Sequence, residues 1–319
     1  MKKLFLKKLF LETGSLCQVL FAMKICAQVF IASVILMLML QTAFAAVYSY
    51  GKGNTVIGSV QTYTVKHDES LIEVARKFDI GYQEIVEANP DLDPFVPGEG
   101  ISVEIPTSWI FPDVTQYEGI VINLSEMRLF YFFKRMGSSL VMTFPIGIGR
   151  EGFNTPVGKF SVIEKTVNPS WRVPVSIRKE KPELPEIVPP GPDNPLGSHA
   201  MRLSLGSVLI HGTNKPWGVG RRVSHGCIRL YPEDIHRLYK WVSKGTQVTI
   251  VRQPIKVGTK DKNKVFIEVH DDNPEGNIDS FKEAVNLLMK KKLIEKISTE
   301  KLYKALREKS GIPVNISQE

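Results

Sequence analysis

The sequence predicts a mainly β protein: a small strand–helix–helix–strand unit, then a larger β domain, then a C-terminal α/β tail. Three observations carry this. From about residue 118 to 252 the apolar residues come in short runs broken by turn signals, with one helical stretch late in the segment. Residues 62–106 hold two short helical patterns between two short strand patterns. Beyond residue 280 the apolar spacing becomes helical. A length of 319 residues accommodates two domains.

The N-terminus reads as an export signal, residues 1–45. Lysines precede an apolar run from Ile25 to Leu40, and Ala43-Phe44-Ala45 supplies small residues for cleavage before Ala46. Met23-Lys24 ahead of the same run would be a compact signal by itself, so Met23 is a second candidate start. The rival is an uncleaved anchor, but the run is shorter than the roughly twenty residues a spanning helix needs. Membrane contact is expected through this segment alone. The leader holds five lysines and one glutamate, so its removal takes the formal charge from +8 to +4. That balance suits an anionic surface such as a cell wall. No interleaved stripe of aromatic and basic residues points to nucleic acid.

Residues 46–61 are polar and glycine-bearing and read as a linker. In residues 62–106, Tyr63-Thr64-Val65 is a strand signal. Ser70-Leu71-Ile72-Glu73 is a capping-box pattern that opens a helix. Leu71, Val74, Ala75 and Phe78 then share one helical face. Tyr82, Ile85, Val86 and Asn89 suggest a second helix stopped by Pro90, and Ile101, Val103 and Ile105 alternate as a strand. Trp109 to Pro112 reads as a connection that packs on its neighbour.

In the larger domain, Ile120–Leu124 and Arg128–Phe133 flank Ser125-Glu126-Met127 as a hairpin. Leu140–Ile146 and Phe160–Glu164 are further strands. Gly147, Gly149 and Gly152 lie between them, but a strand follows rather than a helix, which argues against a phosphate loop. Residues 166–200 are proline-dense and long for a structureless connection, as lids and binding loops commonly are; a solvated insertion is the alternative. Strand character resumes at Met201–Ser204 and Ser207–His211. Ile235, Leu238, Tyr239 and Val242 make one helical face ended by Gly245, and Thr246–Val251 closes the domain. The tail, 253–319, shows one strand (Val265–Val269) and two amphipathic helices. It suggests packing rather than chemistry. His236 and His270 read as surface residues, and His199 as a possible neighbour of the site.

The chemistry concentrates between His211 and Cys227, HGTNKPWGVGRRVSHGC. Cys227 is the only cysteine outside the leader region, so it has no partner to pair with in the mature chain. A free thiol titrates near 8.5, and an imidazole or oriented N–H groups are needed to make it a nucleophile. His225 shares a face with Cys227 in extended chain but points parallel to it. His211 arrives from another strand and is therefore the better base, with His225 supporting. Gly226 removes a side chain, so its N–H and that of Cys227 can face an oxyanion. Ser224 and the Gly212 carbonyl are candidates to orient an imidazole. Arg229 suits a substrate carboxylate, as do Arg221 and Arg222 if they do not sit in solvent. Thr213 and Ser224 complete the candidate substrate contacts. The spacing H-x13-H-x-C lacks paired short-spaced ligands, so no metal and no cofactor are expected.

The stretches YTVKHDESLIEVARKF, IVEANP and VPGEGISVEIP resemble the LysM fold. That resemblance implies binding to N-acetylglucosamine-containing glycan strands of peptidoglycan. IHGT followed by SHGCIRL is similar to the signature of the L,D-transpeptidase catalytic domain. TPVGKF, NPSWRVP and PPGPDNPLGSHAMRL are similar to further segments of its Gram-negative periplasmic type. The resemblance covers about 118–252 and implies a β-sandwich catalytic domain. Cys227 would be acylated and His211 would be the proton acceptor. The substrates implied are peptidoglycan stem tetrapeptides, attacked at the diaminopimelate carbonyl with release of D-alanine. The acyl group passes to an amine, giving 3-3 cross-links or attachment of an envelope lipoprotein. Two alternatives share these residues: an L,D-carboxypeptidase that uses water, and a non-catalytic wall-binding protein. The expected location is the periplasm.

Overall fold

The computed structural model describes residues 46–318, apart from residues 52, 262–263 and 273–278. The expected export signal lies outside them. Among the described residues, no helix is long and apolar enough to cross a membrane.

Nine strands form one mixed sheet. Across it they run Val47–Ser49, Ser138–Pro145, Arg128–Arg135, Gly119–Asn123, Gln247–Val251, Gly158–Val167, His199–Leu203, Leu209–His211 and Ile228–Arg229. Gly119–Asn123 runs parallel to Gln247–Val251, and Leu209–His211 runs parallel to Ile228–Arg229. Alternation along each strand decides what its two faces cover. Ile120, Ile122, Leu129 and Phe144 share a core with Met201, Ile210 and Ile228. Strands from both ends of the sheet meet there, so the sheet folds over onto itself around one interior. Val121, Phe130, Phe132 and Val141 point the other way and share a core with Leu71, Val74 and Ile85 of the small unit and with Trp109 just after it. Residues 120–133 are apolar in continuous runs because both faces are covered.

In the small unit, Gln61–Thr64 pairs antiparallel with Ser102–Ile105, and helices Leu71–Lys77 and Tyr82–Ala88 lie between them in sequence. The expected capping box is present. Ser70 Oγ accepts from Glu73 N at 3.3 Å, and Glu73 Oε2 accepts from Ser70 N at 2.8 Å.

The stretch 46–61 is not a linker. Val47–Ser49 edges the large sheet, and Val56–Gly58 pairs with Ser108–Ile110. Only Val56 and Ile57 carry the burial, too short an apolar run to stand out among Gly51, Gly53 and Gly58.

The tail adds Ile255–Lys260, Lys264–Val269 and Val314–Asn315 as a three-stranded sheet. Helices Ser280–Lys290 and Thr299–Glu308 share its core. A buried ion network ties the three parts of the chain together. Lys256 Nζ lies 2.6 Å from Glu126 Oε2 and 2.8 Å from Glu268 Oε1. His270 Nδ1 lies 2.9 Å from Glu87 Oε2 and its Nε2 lies 2.8 Å from Glu268 Oε1. His270 is therefore buried, not a surface residue. Burial alone would lower its pKa, but the two carboxylates outweigh burial and raise it to about 10. Glu126, Glu268 and His270 are grouped closely enough for a metal, but the Lys256 ammonium already supplies the cation between them.

Candidate active site

Two parallel strands set the geometry. The register pairs Ile210 with Ile228 and His211 with Arg229. One step back, Cys227 falls opposite Leu209, two positions from His211 and so on the same face. Between them the chain leaves the sheet, makes a turn at Pro216–Gly218, and returns as Arg222–Ser224 paired with Ile148–Gly149. His211, Cys227, Arg229 and His225 all line one cavity of about 1160 Å³.

His211 is buried, and its Nδ1–H donates to the Gly212 carbonyl at 2.6 Å. That bond fixes the tautomer and puts the lone pair on Nε2; the Leu196 backbone also bonds to the ring. Burial and the Arg229 charge lower the His211 pKa to about 3. Burial also pushes the Cys227 thiol up, against the backbone of Leu209 and the charges of Arg229 and Arg202. At neutral pH the resting pair is thus thiol and neutral imidazole, not an ion pair. Cys227 is a free thiol, and its Sγ lies 3.7 Å from the Ser207 carbonyl.

His225 lines the same cavity, but its ring is engaged by Arg150 and Phe153. Its Nε2 accepts from Arg150 Nη2 at 3.0 Å, and its ring packs edge-on against Phe153 at 4.5 Å. Arg150 Nη2 also lies 2.7 Å from both oxygens of Glu180. Three other expectations need correction. The Gly226 N–H is committed to Ser224 Oγ at 3.2 Å, so it does not face an oxyanion. Ser224 is buried and donates to the Cys227 carbonyl at 2.5 Å, so it shapes the turn rather than holding substrate. Thr213 is buried too, and its Oγ1 accepts from Lys215 N at 3.0 Å, bending the loop instead of facing a ligand. Gly212, by contrast, holds His211 as described, and Arg229 lines the cavity with its Nε buried and unpartnered among the described residues. Arg222 is paired with Asp272. His199 packs against His236 and Tyr239 and does not line the cavity.

Residues 166–200 roof the cavity. Trp171–Arg172 pairs with Ile187–Val188, and helix Val175–Glu180 lies between them. The proline-dense chain is gathered by the buried Asn194, whose amide donates to the carbonyls of Pro169, Val188 and Pro189. Trp171, Arg178 and Glu183 line the cavity from this side.

Sequence reasoning missed four residues that shape the site. Thr155 Oγ1 donates to the Gly226 carbonyl at 3.1 Å and accepts from Gly149 N at 3.0 Å, bracing the cysteine turn. Arg150 and Glu180 contact His225, and Tyr82 of the small unit packs on Arg221. The TPVGKF segment was noticed, but no local pattern announces long-range contacts of this kind.

A family model of the L,D-transpeptidase catalytic domain matches residues 118–250, and a LysM model matches residues 63–94. The chain is 36% identical to a probable L,D-transpeptidase, YcfS, of Escherichia coli over 287 residues, 83% of this chain and 86% of that one. It is 35% identical to the probable L,D-transpeptidase YbiS of E. coli, spanning 83% of this chain and 90% of the relative. The same identity holds for the probable L,D-transpeptidase ErfK/SrfK of Salmonella typhimurium, over 83% of this chain and 89% of the relative. A mainly β domain with a lone cysteine and a buried histidine on neighbouring parallel strands, preceded by a LysM unit, thus belongs to the L,D-transpeptidase family of acyltransferases.

Proposed function

We propose that this protein transfers an acyl group from a peptidoglycan stem tetrapeptide to an amine, through a thioester on Cys227. The observation that carries the reading is the tautomer of His211, which puts the lone pair on Nε2 in a residue on the face that bears Cys227. As the sulfur attacks the diaminopimelate carbonyl, His211 Nε2 takes the thiol proton. The imidazolium then gives that proton to the departing D-alanine amine as the C–N bond breaks, leaving a thioester. An incoming amine attacks the thioester and passes a proton to Nε2. The C–S bond breaks, and the thiolate recovers the proton from His211. Arg229 holds a carboxylate of the peptide, and the roof formed by 166–200 favours amine over water by limiting solvent at the thioester. The acceptor is the amine of another stem's diaminopimelate or a lysine of an envelope lipoprotein.

The LysM unit binds glycan strands and the enzyme works in the periplasm after export. His67, Asp68, Phe95 and Val96 remain exposed on the unit, whereas Tyr82, Glu84 and Glu87 face the rest of the chain. Incubation with disaccharide-tetrapeptide followed by mass analysis tests the reaction. Cross-linked dimer supports transfer. Tripeptide alone means hydrolysis instead, and unchanged substrate with retained wall binding means a non-catalytic binder.

A further inference from the structure

The small unit touches the active-site loop itself. Tyr82 N donates to the Val219 carbonyl at 3.4 Å and Gln83 N donates to the Gly220 carbonyl at 3.1 Å. These N–H groups open the helix Tyr82–Ala88 and have no partner within it, so the loop carbonyls satisfy them. The two backbones meet through glycine on both sides. A Cβ on Gly220, where φ is +76°, would lie 2.1 Å from Tyr82 N, and one on Gly81 would lie 2.8 Å from Gly220 Cα. On the far side the same loop is held by the sheet: Gly220 N donates to the Ile146 carbonyl at 3.0 Å and Ile148 N to the Arg221 carbonyl at 3.0 Å. Next along the loop, the Arg221 guanidinium sits 3.5 Å from the centre of the Tyr82 ring. Arg221 also lines the cavity that holds Cys227, and its Nε is buried without a hydrogen-bond partner among the described residues. A guanidinium stacked on a ring keeps its in-plane N–H donors for an anion. A unit that served only as a glycan tether would need none of these contacts.

We infer that the LysM unit completes the substrate site: Tyr82 is a positioning residue that holds Arg221 in the cavity to bind a carboxylate of the peptide donor. This rests on the transpeptidase reading. Tyr82 acts on peptide binding through Arg221, whereas glycan binding belongs to the exposed side of the unit.

The test measures stem-tetrapeptide affinity calorimetrically in the full chain carrying Cys227→Ala, which binds without turnover. Tyr82→Ala is expected to weaken binding about tenfold, near the value of one desolvated cation–π contact. Tyr82→Phe, which keeps the ring, is expected to bind as the parent does. Arg221→Ala is expected to lose at least as much, and adding Tyr82→Ala to it should cost nothing further, because the two act as one unit. Glycan binding by Tyr82→Ala should stay unchanged. Unchanged peptide affinity in Tyr82→Ala, an equal loss in Tyr82→Phe, additive losses in the double variant, or a parallel loss of glycan binding each overturns the inference. Turnover of the tetrapeptide by the wild type is measured alongside. If the wild type reacts while Tyr82→Ala binds normally, this inference alone falls. A wild type inert toward the tetrapeptide removes the reaction assignment and this inference with it.

Discussion

His211 Nδ1 lies 2.6 Å from the carbonyl oxygen of Gly212, its own neighbour in the chain, and this short bond sets the chemistry of the site. The proton sits on Nδ1, so the lone pair is on Nε2. Burial and Arg229 keep the ring neutral down to about pH 3. Replacing His211 by Ala should lower kcat by roughly 10²- to 10⁴-fold, the usual worth of a general base. In the wild type, the acid limb of kcat/KM should show no histidine step near 6.5.

The same residue makes stability pH-dependent. The ordinary value is 6.5, and the folded value is depressed to about 3. Above 6.5 neither state carries the proton, so His211 contributes nothing to the pH dependence. As pH falls from 6.5 toward 3 the unfolded chain takes up a proton that the folded chain refuses, and stability drops. Melting curves between pH 7 and 4 should show a shallower decline in His211→Gln than in the wild type; identical slopes would contradict the assignment.

His270 has the opposite sign. Its folded pKa is raised from 6.5 to about 10, so its ion pairs stabilise fully below 6.5 and fade as pH rises through about 10. Removing it leaves Glu87 without its charged partner in a buried site, while Glu268 keeps only Lys256 of its charged partners. His270→Ala should therefore cost roughly 3–5 kcal/mol, the usual penalty for breaking a buried pair. Chemical denaturation at pH 7 reads this directly, and a loss below 1 kcal/mol would mean the network is dispensable.

Ser224 bridges the Gly226 N–H and the Cys227 carbonyl, and so holds the turn that aims the sulfur. Ser224→Ala leaves the buried Gly226 N–H and the half-buried Cys227 carbonyl without that partner, at a cost of about 1–3 kcal/mol. Activity should fall by more than this stability loss explains, because the sulfur is displaced. A variant with lower stability but wild-type kcat would show that the turn does not aim Cys227.

Glu180 joins the roof to Arg150 and His225 at the cavity edge. Both side chains of the Arg150–Glu180 pair are about 40% exposed. Their contribution to stability is therefore small, because solvent screens the pair. Glu180→Ala should leave the melting temperature nearly unchanged but raise KM for the tetrapeptide, since the roof loses its latch. Equal KM values would assign the contact to the surface only.

The readable parts of the molecule were those written in local pattern. The capping box at Ser70 and Glu73 formed as spacing demanded, and alternation placed the strands around His211 and Cys227. The lone cysteine and the histidine across the loop were the sequence's candidates for the site, and the structure lines one cavity with both. What the pattern could not carry were contacts between distant segments. His270 looked like a tail residue, because Glu87 meets it from 183 positions away. Val56 and Ile57 looked like a linker, because their partners Ser108–Ile110 lie beyond the whole small unit. Nothing in the local pattern singles out Gly220, and only the backbone of Gly81 and Tyr82 against it shows why no side chain fits. Ser224 and Gly226 were assigned to substrate and oxyanion, but each spends its polar group inside the four-residue turn 224–227.

The central claim is that Cys227 carries the acyl group. Intact-mass and peptide-map analysis of the wild type, quenched in acid during turnover of disaccharide-tetrapeptide, tests it most directly. The account predicts a thioester adduct, equal to the substrate less D-alanine, on the peptide containing Cys227, and no adduct or product from Cys227→Ala. Product formed at an undiminished rate by Cys227→Ala, or an adduct on any other residue, would contradict it.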